Sequence, residues 1–366
     1  MSADSEQQID TVLMTTDTVG GVWTYSIELA AELAKRQVRT VLAAMGGKAS
    51  DTQRDEAALV PGLQFEESEY CLEWMQDPWE HVAKAGEWLL DLQDRYRPSV
   101  IHLNNFAHGD LPWKAPVLMA GHSCVLSWWE AVHGERAPRE WDYYASRVAS
   151  GLAAANIVVT PTRTMLTALE KHYGPLPDSR VIHNAAAPAA FRPGTKQPFI
   201  FAAGRLWDKA KNISMLARVA GKVAWPVRVA GDGSGEPHSG LTMLGRLSRA
   251  QVAAEMASAS IYAFPVRYEP FGLSILEAAL AGCALVLGDI SSVRENWHGC
   301  ALFVDPGSED DLRHALNLLI EDDGYRHRLA AVARTRALQF SPSIMASQYL
   351  DAYQHILTRD VVASCA

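Results

Sequence analysis

Short apolar runs alternate along the chain with longer stretches of helical spacing, a pattern that reads as repeated βαβ units with parallel sheets. In the first half, Thr11–Thr15, Arg39–Ala44, Val100–Leu103, Pro116–Ala120, Ile157–Thr160 and Arg180–Ile182 predict strands. Thr24–Arg36, Pro78–Tyr96, Pro138–Ala154 and Thr162–Tyr173 carry the helical period between them. The pattern then restarts. Pro198–Ala203 runs into Gly204 much as Thr11–Thr15 leads to Gly20-Gly21. Further strands are predicted at Val227–Ala230, Leu241–Leu244, Ile261–Phe264, Ala284–Leu287 and Ala301–Val304, and closing helices near Asp310–Glu321, Tyr325–Gln339 and Pro342–Leu357. The Pro- and Gly-containing stretch Pro188–Pro198 is the natural linker, dividing residues 1–190 from 191–341. The expected fold class is α/β, two Rossmann-like doubly wound domains with ligands at the carboxyl ends of the strands, in the cleft between domains.

A length of 366 residues agrees with two domains, each able to bury its own core. With 48% hydrophobic and 20% charged residues the composition is that of a soluble globular protein. The net charge of −9 argues against nucleic acid and weakens electrostatic docking on anionic lipid, leaving peripheral membrane contact open. The stretch Glu66–Arg97 is itself acidic. Met1–Asp10 lacks the basic and apolar regions of a signal peptide, and no uncharged apolar run of about 18 residues predicts a membrane span. Cys71, Cys124, Cys283, Cys300 and Cys365 are scattered and odd in number, which fits reduced, mostly buried thiols in a cytoplasmic protein.

The most informative segment is Glu269-Pro270-Phe271-Gly272-Leu273-Ser274-Ile275-Leu276-Glu277. The first carboxylate precedes a helix start and the second lies about a turn inside it, roughly 10 Å apart at ~1.5 Å per helical residue. Between them is a helix N-terminus with unpaired N–H groups and about half a positive charge. Gly272 removes a side chain where something must approach that backbone. An anion with a hydroxyl-rich group on each side, such as a sugar–diphosphate–ribose, has the matching layout. Here the chain resembles the family 4 retaining glycosyltransferases, with the two-domain GT-B fold, whose signature is this Glu, seven residues, Glu arrangement around Phe-Gly. The resemblance implies that Glu269 holds donor sugar hydroxyls, that Glu277 holds the ribose, and that Phe271, Gly272 and Leu273 border the donor. It also implies that the helix near 342–358 crosses back onto the first domain.

Other landmarks follow in the family's order. In Gly204-Arg205-Leu206-Trp207-Asp208-Lys209-Ala210-Lys211-Asn212, an Arg fork and a Lys point charge could neutralise a departing diphosphate without a metal. Arg205 matches the family Arg and Lys211 the later Lys, with Lys209 as the alternative; Asn212 stands where the family usually has Gly. Val229–Gly235 has the wrong glycine spacing for a dinucleotide fingerprint. It matches instead the family's Gly-rich loop beside the nucleotide, and Leu244-Gly245-Arg246 resembles the strand end whose backbone reads the base edge.

Thr18–Trp23 carries Gly20 and Gly21 before a helix, where backbone N–H groups can approach a ligand. The resemblance places this loop near the diphosphate and acceptor, and His122 against the donor sugar near the reacting carbon. His102 is the rival histidine and reads as part of the sheet. Trp128 and Trp129 could form an apolar platform for an acceptor; nothing marks Asp17 as a base.

The expected function is therefore retaining, metal-independent transfer of a sugar from a nucleotide-diphosphate sugar to a small-molecule or glycan hydroxyl, without a cofactor. His122, Arg205, Lys211 and Glu269 are its catalytic candidates. A sugar-nucleotide epimerase or phosphorylase on the same fold, or a non-catalytic nucleotide-sugar-binding module, are the alternatives. Base, sugar, acceptor, linkage and oligomeric state are not legible.

Overall fold

A computed structural model describes residues 9–232 and 240–364 of the chain, which divides into two compact units. The first comprises the chain up to Ser127, Arg136–His183 and the C-terminal stretch from Pro342. Its strands are β1 (Thr11–Asp17), β2 (Arg39–Met45), β3 (Gln64–Glu67), β4 (Val100–Leu103), β5 (Val117–Ala120), β6 (Ile157–Thr160) and β7 (Ser179–Val181). They form one sheet in the order β3-β2-β1-β4-β5-β6-β7, with every pairing parallel. The intervening helices are α1 (Gly21–Lys35), α2 (Asp51–Ala58), α3 (Trp79–Tyr96), α4 (Val125–His133), α5 (Asp142–Ala154) and α6 (Arg163–Tyr173); Trp128–Glu135 belong to the second unit.

The interior of β1 and all of β4, β5 and β6 are buried, as expected for parallel strands covered on both faces. The pattern of the sequence misses β3 and α2 because neither is apolar. Strand β3 is a half-buried Gln-Phe-Glu-Glu edge, and α2 starts from a Ser50/Gln53 capping box rather than from a buried face.

The second unit holds β8 (Gln197–Ala203), β9 (Val227–Ala230), β10 (Leu241–Gly245), β11 (Ala259–Phe264), β12 (Ala284–Gly288) and β13 (Leu302–Val304), in the parallel order β10-β9-β8-β11-β12-β13. Its helices are α7 (Ile213–Ala220), α8 (Arg249–Ser258), α9 (Leu273–Leu280), α10 (Ser291–Trp297), α11 (Glu309–Glu321) and α12 (Asp323–Ala337). In each sheet the strand order reverses direction at one place, between β1 and β4 and between β8 and β11. Open α/β sheets bind ligands outside the carboxyl ends of the strands at such a switch point.

The predicted linker is not a loose tether. Phe191 is buried in the second core, Gly194 N donates to Ala257 O (3.1 Å), and Lys196 Nζ donates to Met256 O (3.0 Å) and Ala281 O (2.7 Å). Pro and Gly mark a lack of regular structure there, not a lack of packing.

Helix α13 (Pro342–Ser364) packs in the first unit. Arg36 Nη2 donates to Ser343 O and Oγ, and His355 Nε2 meets Asp178 Oδ2 at 2.9 Å. Tyr353 Oη lies 2.6 Å from His102 Nδ1, and Tyr25 Oη 3.2 Å from His102 Nε2. His102 is fully buried on β4, and burial pushes its pKa down to about 3, so it is a neutral fastener between sheet and helix. Tyr353→Phe leaves one buried ring nitrogen unpaired and is expected to cost about 1–3 kcal/mol of stability. Urea unfolding followed by circular dichroism checks this; an unchanged midpoint would mean that the bond contributes nothing.

Among the described residues, no helix is long and apolar enough to cross a membrane. Cys124, Cys283 and Cys300 are buried free thiols and Cys71 is half-buried; Cys365 lies outside the described residues.

Candidate functional site

The loop after β8 carries the basic residues at the second unit's switch point. Asp208, almost wholly buried, caps a 3₁₀ turn over Lys209–Lys211 by accepting from Ala210 N (3.0 Å). Its Oδ2 accepts from Arg205 Nη2 (3.2 Å), and Arg205 also lies 5.1 Å over the exposed Trp207 ring. The turn ends at Asn212, where φ is +56°. That left-handed conformation explains why Asn can stand where the family usually has Gly, since Asn tolerates it best among the other residues. Asn212 Nδ2 then donates to Pro265 O (2.8 Å) and Pro306 O (2.9 Å), anchoring the turn to the chain after β11. Lys209 is exposed, whereas Lys211 points inward, its side chain 12% exposed.

The loop after β11 supplies the carboxylate. Glu269 Oε2 accepts from Lys211 Nζ at 2.7 Å, and its Oε1 accepts from Gly272 N at 3.0 Å. Its carbonyl accepts from Ser292 Oγ at 2.6 Å, so the residue is held at three points. Gly272 has φ +88°, and an added Cβ would stand 2.6 Å from Ile275 Cδ1, so glycine is required by backbone and space together. It is the N-cap of α9. Leu273 opens that helix half-buried, and Glu277 lies a turn along it, also half-buried. Beneath them Tyr262 Oη donates to Ala203 O (3.3 Å). Burial raises its pKa, and the charges of Glu277 and Glu269 add to the rise.

Three expectations change. Phe271 is 3% exposed and packs edge-on against Phe340 at 5.6 Å, so its side chain is core and only its backbone could border a donor. Gly231 is explained by chain packing, because a Cβ there would lie 2.0 Å from Gly204 O; Gly233–Gly235 of that loop fall outside the described residues. Trp128 is half-buried and spends its indole N–H on Asp208 Oδ1 (3.1 Å), and Trp129 is half-buried beside His133, so neither is an open platform. Arg246 is exposed after the edge strand β10.

In the first unit, Asp17 Oδ1 accepts from Val19 N and Gly20 N, both at 2.9 Å. The Gly20 N–H is thus already used to shape the loop, and Gly21 begins α1. His122 follows β5 and is half-buried, with Nε2 2.8 Å from Asn104 Oδ1 and its ring edge-on to Tyr25 at 4.5 Å. Burial pushes its pKa down to about 4. Asp208 and Asn104 are the residues that sequence reasoning missed. The available signal was an acid inside a basic loop, and an Asn-Asn pair directly after a predicted strand.

A surface recess of about 540 Å³ on the second unit, lined by Asn296, Cys300 and Arg336 among others, contains none of these residues.

Residues 197–322 match the family described as Glycosyl transferases group 1, and residues 19–189 the family described as Glycosyltransferase Family 4. The structure of sucrose-phosphate synthase from Thermosynechococcus elongatus is similar with a TM-score of 0.82 at 16% identity, covering 96% of this chain and 100% of that one. HepE from Anabaena, solved in complex with UDP-glucose, gives a TM-score of 0.73 at 17% identity, with 93% and 98% covered. An N,N'-diacetylbacillosaminyl-diphospho-undecaprenol alpha-1,3-N-acetylgalactosaminyltransferase from Campylobacter jejuni is 29% identical over 114 residues. That match spans 30% of this chain and 30% of the relative's length.

Proposed function

Because the chain belongs to the group 1 and family 4 glycosyltransferases, we propose that it moves a sugar from a nucleotide-diphosphate sugar to a hydroxyl acceptor. The transfer retains configuration and needs no metal. The observation that carries this reading is the 2.7 Å Lys211–Glu269 pair, formed between the two loops that flank the second sheet's switch point, with Arg205 on the same loop as Lys211.

In this reading Arg205, Lys211 and the N–H groups opening α9 take up the charge that grows on the diphosphate as the sugar C1–O bond breaks. Glu269 accepts from sugar hydroxyls and Glu277 from the ribose. The acceptor oxygen bonds to C1 on the face the diphosphate leaves, and its proton passes to a phosphate oxygen of the leaving group. No carboxylate nucleophile is required. The structure of HepE with UDP-glucose makes UDP-sugars the first donors to try.

Incubation with UDP-, GDP- and ADP-sugars, read as slow release of the nucleotide, tests the function; release from none of them, at any enzyme concentration, would reject it. Activity is further expected to survive excess EDTA, since the paired cations supply the positive charge a metal would bring. Abolition by EDTA with rescue by Mg²⁺ or Mn²⁺ would overturn the metal-free mechanism.

A further inference from the structure

We infer that Asn104 holds His122 in the tautomer protonated on Nε2, so that Nδ1 meets a ligand as a hydrogen-bond acceptor and selects a hydroxyl as its donor. The ligand's identity as a sugar rests on the function proposed above; the tautomer does not.

The argument starts from the amide of Asn104. Its Nδ2 lies 2.6 Å from Thr15 O, a carbonyl that can only accept, so the nitrogen must face Thr15 and Oδ1 must face His122. The rest of the residue is fixed as well. Asn104 N donates to Thr15 Oγ1 (2.8 Å), and that hydroxyl donates to Asn105 Oδ1 (3.0 Å). This lock spans β1 and the end of β4, the two strands at the first sheet's switch point. An amide oxygen only accepts, so the 2.8 Å contact requires a proton on Nε2. Burial keeps the ring neutral, with a pKa of about 4, so Nδ1 carries a lone pair at neutral pH. Among the described residues Nδ1 makes no hydrogen bond, and the edge-on Tyr25 ring fixes the imidazole plane. Neighbouring His102 is neutral too and adds no charge.

A bare Nδ1 can accept from a hydroxyl but gains nothing from a fluorine or an ether oxygen at the same place. Asn104 is thus a positioning residue that sets the polarity of the contact made by His122.

The test is imidazole nitrogen NMR of the full chain labelled with ¹⁵N-histidine at pH 7.5, with His122 assigned by its loss in His122→Gln. The expected signature is protonated Nε2 and bare Nδ1; a proton on Nδ1, or on both nitrogens, overturns the inference. In Asn104→Leu the His122 signals are expected to shift toward a mixture of tautomers, with kcat/KM for the donor falling roughly three- to tenfold for one lost orientation. A folded Asn104→Leu protein with an unchanged His122 pattern removes Asn104 as the cause. Should that variant not fold, the wild-type spectrum decides alone, because the Nε2–H, bare Nδ1 pattern is what the Asn104 contact requires and any other pattern sinks the proposal. The NMR result requires no turnover, so its failure is distinct from a failure of the transferase reading.

Discussion

Replacing Glu269 by alanine is expected to lower turnover by about 10²–10³-fold, the scale seen when one preorganised polar group is removed from a reacting centre. Affinity for the nucleotide diphosphate should change far less. In the proposed complex the carboxylate touches the sugar, which the free nucleotide lacks. Its loss also removes a negative charge 2.7 Å from Lys211, which by sign favours an anion rather than opposing it. Glu269→Gln is the control for structure: it keeps an acceptor for Gly272 N while removing the charge. Glu277→Ala should show the reverse split, weakening nucleotide binding first, because its role is the ribose. Calorimetry with the nucleotide diphosphate on each variant, beside steady-state rates, separates the two. Equal losses of affinity in Glu269→Ala and Glu277→Ala would sink the assignment of roles.

Lys211→Ala is expected to lower kcat/KM by about ten- to a hundredfold and Lys209→Ala by little. A charge-assisted contact is worth about 1.5–3 kcal/mol, but only where the ammonium reaches its partner. The Lys209 side chain is exposed on the outside of the 3₁₀ turn. Lys211 is turned inward and already held by Glu269 with both side chains largely buried, 12% and 15% exposed. Loss of Lys211 also leaves that carboxylate without its cation, so Lys211→Ala and Glu269→Ala share a contact and their effects should not add. If Lys209→Ala proves the crippled variant, the diphosphate is read from the other face of the turn.

The repeated βαβ organisation was legible because parallel strands buried on both faces leave short, dense apolar runs. Val100–Leu103, Ile157–Thr160 and Val227–Ala230 coincide with β4, β6 and β9 residue for residue. Elements without such a run stayed hidden, as with the polar edge strand β3 and the capped helix α2. The glycosyltransferase resemblance was legible from residue types at fixed spacing, and the family matches over both halves agree with it. Individual side chains within those motifs were less so. Phe271 sits in the motif yet belongs to the core, and Asn212, which looked like a departure, meets the same left-handed backbone requirement as glycine.

The sequence by itself determined the class of fold, the restart of the pattern in the second half, and the loops that carry arginine, lysine and glutamate. These follow from local periodicity and from the few residues that a turn or helix start admits. Only the tertiary structure decided the partnerships. Lys211 and Glu269 are 58 residues apart, Trp128 and Asp208 80, and Asn104 and Thr15 89. Lys211 meets Glu269, and Asn104 meets Thr15, because their strands are neighbours in one sheet, β8 beside β11 and β1 beside β4, and no local pattern encodes that order. A side chain's charge and reach can be read from its letter; the atom it faces depends on which strand folds beside its own.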